Sequence, residues 1–295
     1  MSLTAPSIVY VTGWGRSGTT VLNRVVSGPA VVGVGELRWL WRRGVLERQS
    51  CSCGNPWDGC PLWEPTVRRL ARDDGTDAET FARHVDRVGR RAAGPWSLWT
   101  SGALVKRDRA WYVDVLRRLY ETIGEVADAQ VVVDTSKHAG HAVLARETGL
   151  NAVLIHLVRD PRAVVWSHRR PRKVPQGVVA RSPRSRPAPY VAVRWTLRNL
   201  VAELVVRPDL RVRYEDLVDR PLDALGPLWR AIGITPTSPS GTDSHIIAGN
   251  LNRFDTAPVR LRRDDEWIRL QPRSERLVTT LLALPLLRRY GYPTP

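Results

Sequence analysis

Residues 13 to 20 read GWGRSGTT and follow the apolar run SIVYVT. Glycine at 13, 15 and 18 permits backbone angles that gather several N–H groups into one concavity, and a helix starting near Thr19 aims the positive end of its dipole at the same point. Such a concavity suits a phosphate-like anion. Laid on the pattern G-x-x-x-x-G-K-[ST], the stretch matches Gly13, Gly18 and Thr20 but has Thr19 where nucleotide triphosphatases keep a lysine. A kinase or hydrolase on this loop would lack its grip on the transferred phosphate. Arg16 stands in mid-loop instead, where a guanidinium can fork onto phosphate or sulfate oxygens.

Three further groups could join this chemistry. Glu36, 20 residues beyond Arg16, follows the short apolar run VVGVG. It is either a carboxylate answering the dipole of a helix over ELRWLWRRG or a group that works at the edge of a basic site. LIHLVRDPRAVVWSHRR gives an apolar strand, then Arg159, then Asp160 and Pro161 with the chemistry of a helix cap and first turn, and Ser167 lies 8 residues after the arginine. Lys137 ends VVVDTSK and is equally a second cation for the site or a surface lysine.

Parallel strands must carry these residues. SIVYVT (7–12), QVVVD (130–134), AVLIHLV (152–158) and LRVRY (210–214) are nearly continuous in Val, Ile and Leu, the habit of strands covered on both faces. Each is followed by helical spacing: TTVLNRVVS, HAGHAVLARE, PRAVVWSHRR and PLDALGPLWRAI. Strand, turn and helix in repetition predict an α/β fold with a central parallel sheet flanked by helices. Residues 36–129 read as a mostly helical insertion, with patterns at AETFARHVDRVGRR and RDRAWYVDVLRRLYETIGEVA. The Pro-, Arg- and Ser-rich segment 169–190 reads as a mobile basic loop, a solvated connector or a flap over an acidic ligand.

Composition narrows the partners. Against 29 Asp plus Glu stand 45 Lys plus Arg, a net charge of +16, so an anionic partner is expected: nucleic acid, acidic lipid or a polyphosphorylated cofactor. No stacking-aromatic or recognition-helix signature supports nucleic acid. No apolar segment reaches the roughly 20 residues of a membrane span, and no basic region precedes the first hydrophobic run, so a cytoplasmic protein is expected. Cys51, Cys53 and Cys60 fall together in CSCGNPWDGC, which holds no histidine. A zinc site there would need a distant fourth ligand, and a buried structural turn is the expectation. His138 and His141 read as packing or surface residues rather than ligands, and no metal site is expected. Of the 12 tryptophans, Trp39, Trp41, Trp57, Trp63, Trp96, Trp99 and Trp111 lie in the insertion; two or three of them beside Glu36 would favour an aromatic or lipophilic acceptor, and most are expected in the core or at interfaces.

Taken together these motifs resemble the sulfotransferases that use PAPS, 3′-phosphoadenosine 5′-phosphosulfate. GRSGTT resembles the family's 5′-phosphosulfate loop and LVRDPRAVVWS its 3′-phosphate motif. The likeness is to the arginine-containing branch of tyrosylprotein and many bacterial sulfotransferases, in which a Gly-Glu pair, here Gly35 and Glu36, follows the loop. DTSK (134–137), RYEDL (213–217), the CSCG to CPLW segment and GNLNRF (249–254) with its following DDEW extend it from Ile8 to Trp267.

The resemblance implies one sulfotransferase domain over 1–295 with a P-loop-like fold. It also implies transfer of a sulfuryl group from PAPS to a hydroxyl or amine, leaving adenosine 3′,5′-bisphosphate. Gly15, Arg16, Ser17, Gly18, Thr19 and Thr20 would hold the 5′-phosphosulfate, and Arg159, Ser167 and Arg253 the 3′-phosphate. Glu36 would be the general base, with Arg16 and Lys137 as catalytic cations, and arginine and amide dipoles in place of magnesium. The aryl and steroid branch has a lysine in the loop and a histidine base; this sequence has Arg16 and no counterpart of that histidine, so the base rests on Glu36. Acceptors among similar chains include natural products, lipids, carbohydrates and protein tyrosine. An ATP-dependent kinase, with QVVVD imitating a magnesium-binding strand, is the alternative.

Overall fold

The β-branched runs form a single five-stranded parallel sheet: β1 (Ser7–Gly13), β2 (Val31–Gly35), β3 (Val131–Lys137), β4 (Ala152–Val158) and β5 (Leu210–Arg213), in the order β2-β3-β1-β4-β5. The computed structural model describes residues 5–94, 102–170, 174–179, 185–235, 245–255 and 261–294. β1 is central, pairing Ile8 with Val132 on one side and Val9 with Val153 on the other. Its neighbours leave toward opposite edges, so the loops at the carboxyl ends of these strands open a crevice where the order reverses, the usual ligand position in an open parallel sheet.

Alternation along β1 fills two cores. Ile8 and Tyr10 pack with Val132 and Leu154 against the helices of the insertion, whereas Val9 and Val11 pack with Val133 and Ile155 against Leu22 and Leu228 on the other face. The helices are α1 (Thr19–Val26), α2 (Trp63–Asp73), α3 (Ala78–Ala92), α4 (Ala103–Ala127), α5 (Ala139–Glu147), α6 (Pro161–Arg169), α7 (Ala188–Val201), α8 (Tyr214–Asp219), α9 (Pro221–Ile232), α10 (Glu266–Leu270) and α11 (Arg273–Arg289). A third apolar cluster joins α6, α7 and α11 through Val164, Trp195 and Leu287.

Four details depart from the sequence reading. The VVGVG run is a strand, β2, at the sheet edge. β3 runs on through the DTSK residues to Lys137. ELRWLWRRG forms a 3₁₀ turn at Leu37–Trp39 and then a π-helix at Leu40–Leu46 rather than an α-helix. Ala188–Tyr190, assigned to the basic loop, begins α7 behind Pro187. Much of that loop (171–173 and 180–184), with Trp96 and Trp99, lies outside the described residues. Among the described residues no helix is long and apolar enough to cross a membrane.

Candidate active site

The chain leaves β1 at Gly13 and enters α1 at Thr19 through a tight curl. Gly13 has φ 128° and Gly18 φ 93°; a Cβ would stand 2.5 Å from the Leu157 carbonyl oxygen at the first and 2.2 Å from the Tyr214 ring at the second, so both positions require glycine. Between them Arg16 adopts a left-handed φ of 69°. No side chain caps α1, so the N–H groups of its first turn face the crevice without a capping partner. The buried Ser17 hydroxyl has no protein partner.

Three strands deliver the groups around this curl. Glu36 follows β2 directly, and Lys137 ends β3 with φ 60°. Lys137 Nζ donates to Glu36 Oε1 at 2.9 Å, Thr19 Oγ1 at 3.3 Å and the Thr135 carbonyl at 2.8 Å. Burial pushes the Glu36 carboxyl up, but the charge and hydrogen bond of Lys137, with Arg43 and Arg38 behind them, hold it below its ordinary value. Glu36 is therefore an ionised carboxylate at neutral pH, able to accept a proton.

Arg159 follows β4 and is nearly fully buried. It donates to the Arg16 carbonyl at 3.2 Å and to Asp264 Oδ2 at 3.0 Å, and its guanidinium lies 4.3 Å from the centre of the Tyr214 ring. The Asp160 side chain caps α6 and pairs with Arg162, which fixes the turn that presents Arg159. A cleft of about 420 Å³ runs from Gly15, Arg16, Gly18, Thr19 and Thr20 past Glu36 and Lys137 to Arg159 and Ser167. A second cavity of about 950 Å³ meets it at Gly15, Arg16, Glu36 and Lys137 and extends along Trp14, Trp39, Arg38, Arg43 and Arg198. Glu36, Lys137 and Arg16 stand where the two spaces join.

The profile of the sulfotransferase family matches residues 6–238. The chain belongs to the sulfotransferase family. The sulfotransferase domain of the Synechococcus PCC 7002 olefin synthase is similar in fold, with 18% identity over 100% of this chain and 98% of that one at a TM-score of 0.51. The sulfotransferase domain from the curacin biosynthetic pathway is 21% identical over 98% of this chain and 99% of that one, also at 0.51. No sequence among curated proteins matches this chain significantly. The protein is thus a transferase of sulfuryl groups with the P-loop-like fold of its family.

Within this sulfotransferase most residues singled out in the sequence gather at the cleft, and two do not line it. Ser17 is buried beneath the loop. Arg253 lies under the segment 245–255, donating to the Gly249 carbonyl at 3.0 Å and the Ser50 carbonyl at 3.4 Å, and the cleft is reached instead by Asn250 and Asn252 of the same GNLNRF motif. Asn250 Oδ1 accepts from Arg16 at 3.1 Å. Sequence reasoning missed Asn250, Asn252, Arg24 and Asp264; the first two were signalled only by the motif, and Arg24 by its place one turn into α1. Burial raises Asp134 to about 6, and its oxygens accept from Tyr120 and Ser136, so this carboxylate, the last residue of the QVVVD run on which the kinase reading drew, is turned to structural use and lines neither cavity. His138 and His141 stack edge to face in the interior with burial lowering both, in keeping with packing. Trp41, Trp57 and Trp63 are core residues; of the insertion's described tryptophans only Trp39 reaches the cavity beside Glu36.

Proposed function

We propose that the protein transfers the sulfuryl group of PAPS to a hydroxyl or amine of a small acceptor, with Glu36 as general base. The observation that carries this reading is the meeting of Glu36, Lys137 and the curled glycine loop at the junction of two cavities. One side suits a nucleotide anion: uncapped first-turn amides of α1, Arg16 in the loop, and Arg159 with Ser167 at the far end for a second phosphate. Bound there, PAPS supplies an activated sulfuryl group on a phosphate leaving group.

The chain's own groups then have defined tasks. Arg16 and the amides ahead of α1 stabilise negative charge that develops on the leaving phosphate. Lys137, shared between Thr19 and Glu36, turns toward that charge. Its departure unmasks the Glu36 carboxylate, which takes the proton from the attacking hydroxyl. Arg159 and Ser167 select a nucleotide bearing a 3′-phosphate.

The acceptor enters from the larger cavity. Arg38 and Arg43 lie 4.2 and 4.0 Å from the centre of the Trp39 ring, and Glu36 is the single acid among the described residues lining that space. A flat acceptor carrying a negative charge fits such walls, with its hydroxyl directed at Glu36. Calorimetry with adenosine 3′,5′-bisphosphate, adenosine 5′-monophosphate and ATP with magnesium tests the donor assignment. The bisphosphate should bind tightest by at least about tenfold, since a charge-assisted pair with the 3′-phosphate contributes roughly 1.5–3 kcal/mol. Equal binding of the monophosphate, or tighter binding of ATP with magnesium, would refute it, and transfer of label from PAPS to hydroxylated aromatic acids tests the chemistry.

A further inference from the structure

The three cysteines of CSCGNPWDGC do find a distant fourth partner. Residues 245–255 cross the mouth of the sheet, and His245 at their start descends onto the cysteine loop. Its Nδ1 lies 3.3 Å from Cys60 Sγ and 3.9 Å from Cys51 Sγ, and one donor atom from each of Cys51, Cys53, Cys60 and His245 falls within 4.8 Å of all the others. None of the three sulfurs is in a disulfide. With Zn–S bonds of about 2.3 Å and Zn–N bonds of about 2.0–2.1 Å, the corners of a tetrahedral zinc site stand roughly 3.5–3.8 Å apart. The observed separations bracket those edges.

We propose that Cys51, Cys53, Cys60 and His245 form a structural Cys₃His zinc site. Three thiolates and one imidazole select zinc over the harder divalent ions, and four protein ligands leave no open position for catalysis. The surroundings are built to hold the ligands. The backbone turns at Gly54 with φ 90°, its N–H bonded to the Cys51 carbonyl, and Cys51 N donates to the Asn55 carbonyl at 2.7 Å. His245 N donates to the Gly33 carbonyl of β2, the Trp63 indole donates to the His245 carbonyl, and Ser52 and Ile246 exchange two bonds. A zinc ion with three thiolates carries a net charge of minus one. Arg253 supplies the compensating cation close by, held on the Ser50 carbonyl next to Cys51.

The consequence is mechanical. The site clips the start of the helical insertion to the segment that carries Asn250 onto Arg16, two regions 185 residues apart at Cys60 and His245. It closes a long loop next to the active site without contributing a reacting group.

Elemental analysis of the untagged full-length protein, purified without chelator, is the test, and it is independent of any donor or acceptor. About one zinc per chain is expected. Cys60→Ser and His245→Ala should each lose most of it, whereas His245→Cys should retain it as a four-thiolate site. In case a variant fails to fold, the wild-type chain gives a second readout. Cobalt exchanged for zinc should show the charge-transfer and visible bands of tetrahedral thiolate coordination, and zinc should protect all three thiols from alkylation until a chelator is added. Zinc below a tenth of an equivalent, zinc unaffected by the substitutions, or a disulfide from Cys60 to Cys51 or Cys53 found by mass spectrometry would overturn the site.

Discussion

The two cavities that meet at Glu36 are both cationic, yet they hold their cations differently. In the smaller cleft three cations rest on internal oxygens: Lys137 on Glu36, Arg159 on Asp264 and Arg16 on Asn250. In the larger cavity Arg38 and Arg43 lie against Trp39. On the proposed reading, the oxygens of a nucleotide would replace these protein oxygens at fixed distances. The second space instead backs Arg38 and Arg43 on an aromatic ring, which fixes no oxygen position for a ligand. Under the proposed function, the difference corresponds to a precise donor seat beside a tolerant acceptor chamber.

Substitutions can break the comparison, and the largest effect is expected at the boundary. Glu36→Gln should lower turnover by about 10²–10⁴-fold while adenosine bisphosphate binding changes little, because in the proposed mechanism the lost group moves a proton and does not grip the nucleotide. Steady-state rates alongside calorimetry read both quantities; a matching loss of nucleotide affinity would assign Glu36 to the donor seat instead.

Lys137→Ala should cost about 10²–10³-fold in turnover and should also move the acid limb of the rate profile. Lys137 is the strongest influence lowering the Glu36 carboxyl, against the upward push of burial. Without it that carboxyl rises, so activity that needs the ionised form should fall off at a higher pH than in the wild type. An unmoved acid limb would place the titrating group elsewhere.

A smaller effect sharpens the donor side. Arg159→Ala should weaken adenosine bisphosphate binding by roughly tenfold or more and leave the monophosphate unaffected. Asp264→Asn should do the opposite and tighten the bisphosphate several-fold, since Arg159 and Arg170 hold this carboxyl below its ordinary value, against burial, and the nucleotide must compete with it. The smallest effect lies in the larger chamber. Arg38→Ala with Arg43→Ala should raise KM for an anionic acceptor by about tenfold, spare an uncharged one, and leave donor binding intact.

The fold was legible because the strands announce themselves locally, and so was half of the site. Gly13, Gly18 and the start of α1 occupy one short stretch, and the Arg159 turn is written by the adjacent Asp160 and Pro161. β2 was harder, since five residues with two glycines give a weak strand signal. Side chains that arrive from far along the chain were illegible: Asn250 meets Arg16 across 234 residues, and His245 reaches cysteines whose own loop holds no histidine. Arg253 illustrates the converse, a basic residue in a recognisable motif whose guanidinium the fold spends on the Gly249 and Ser50 carbonyls.

Arg16 and Lys137 both sit at positive φ, a backbone state that costs an ordinary residue on the order of 1–2 kcal/mol and glycine almost nothing. Drift toward a hardier, more heat-tolerant chain would therefore favour glycine at the two positions whose side chains the proposed chemistry uses. The sulfotransferase keeps its working parts only under continued selection for turnover, and a library screened for robustness alone should lose them first.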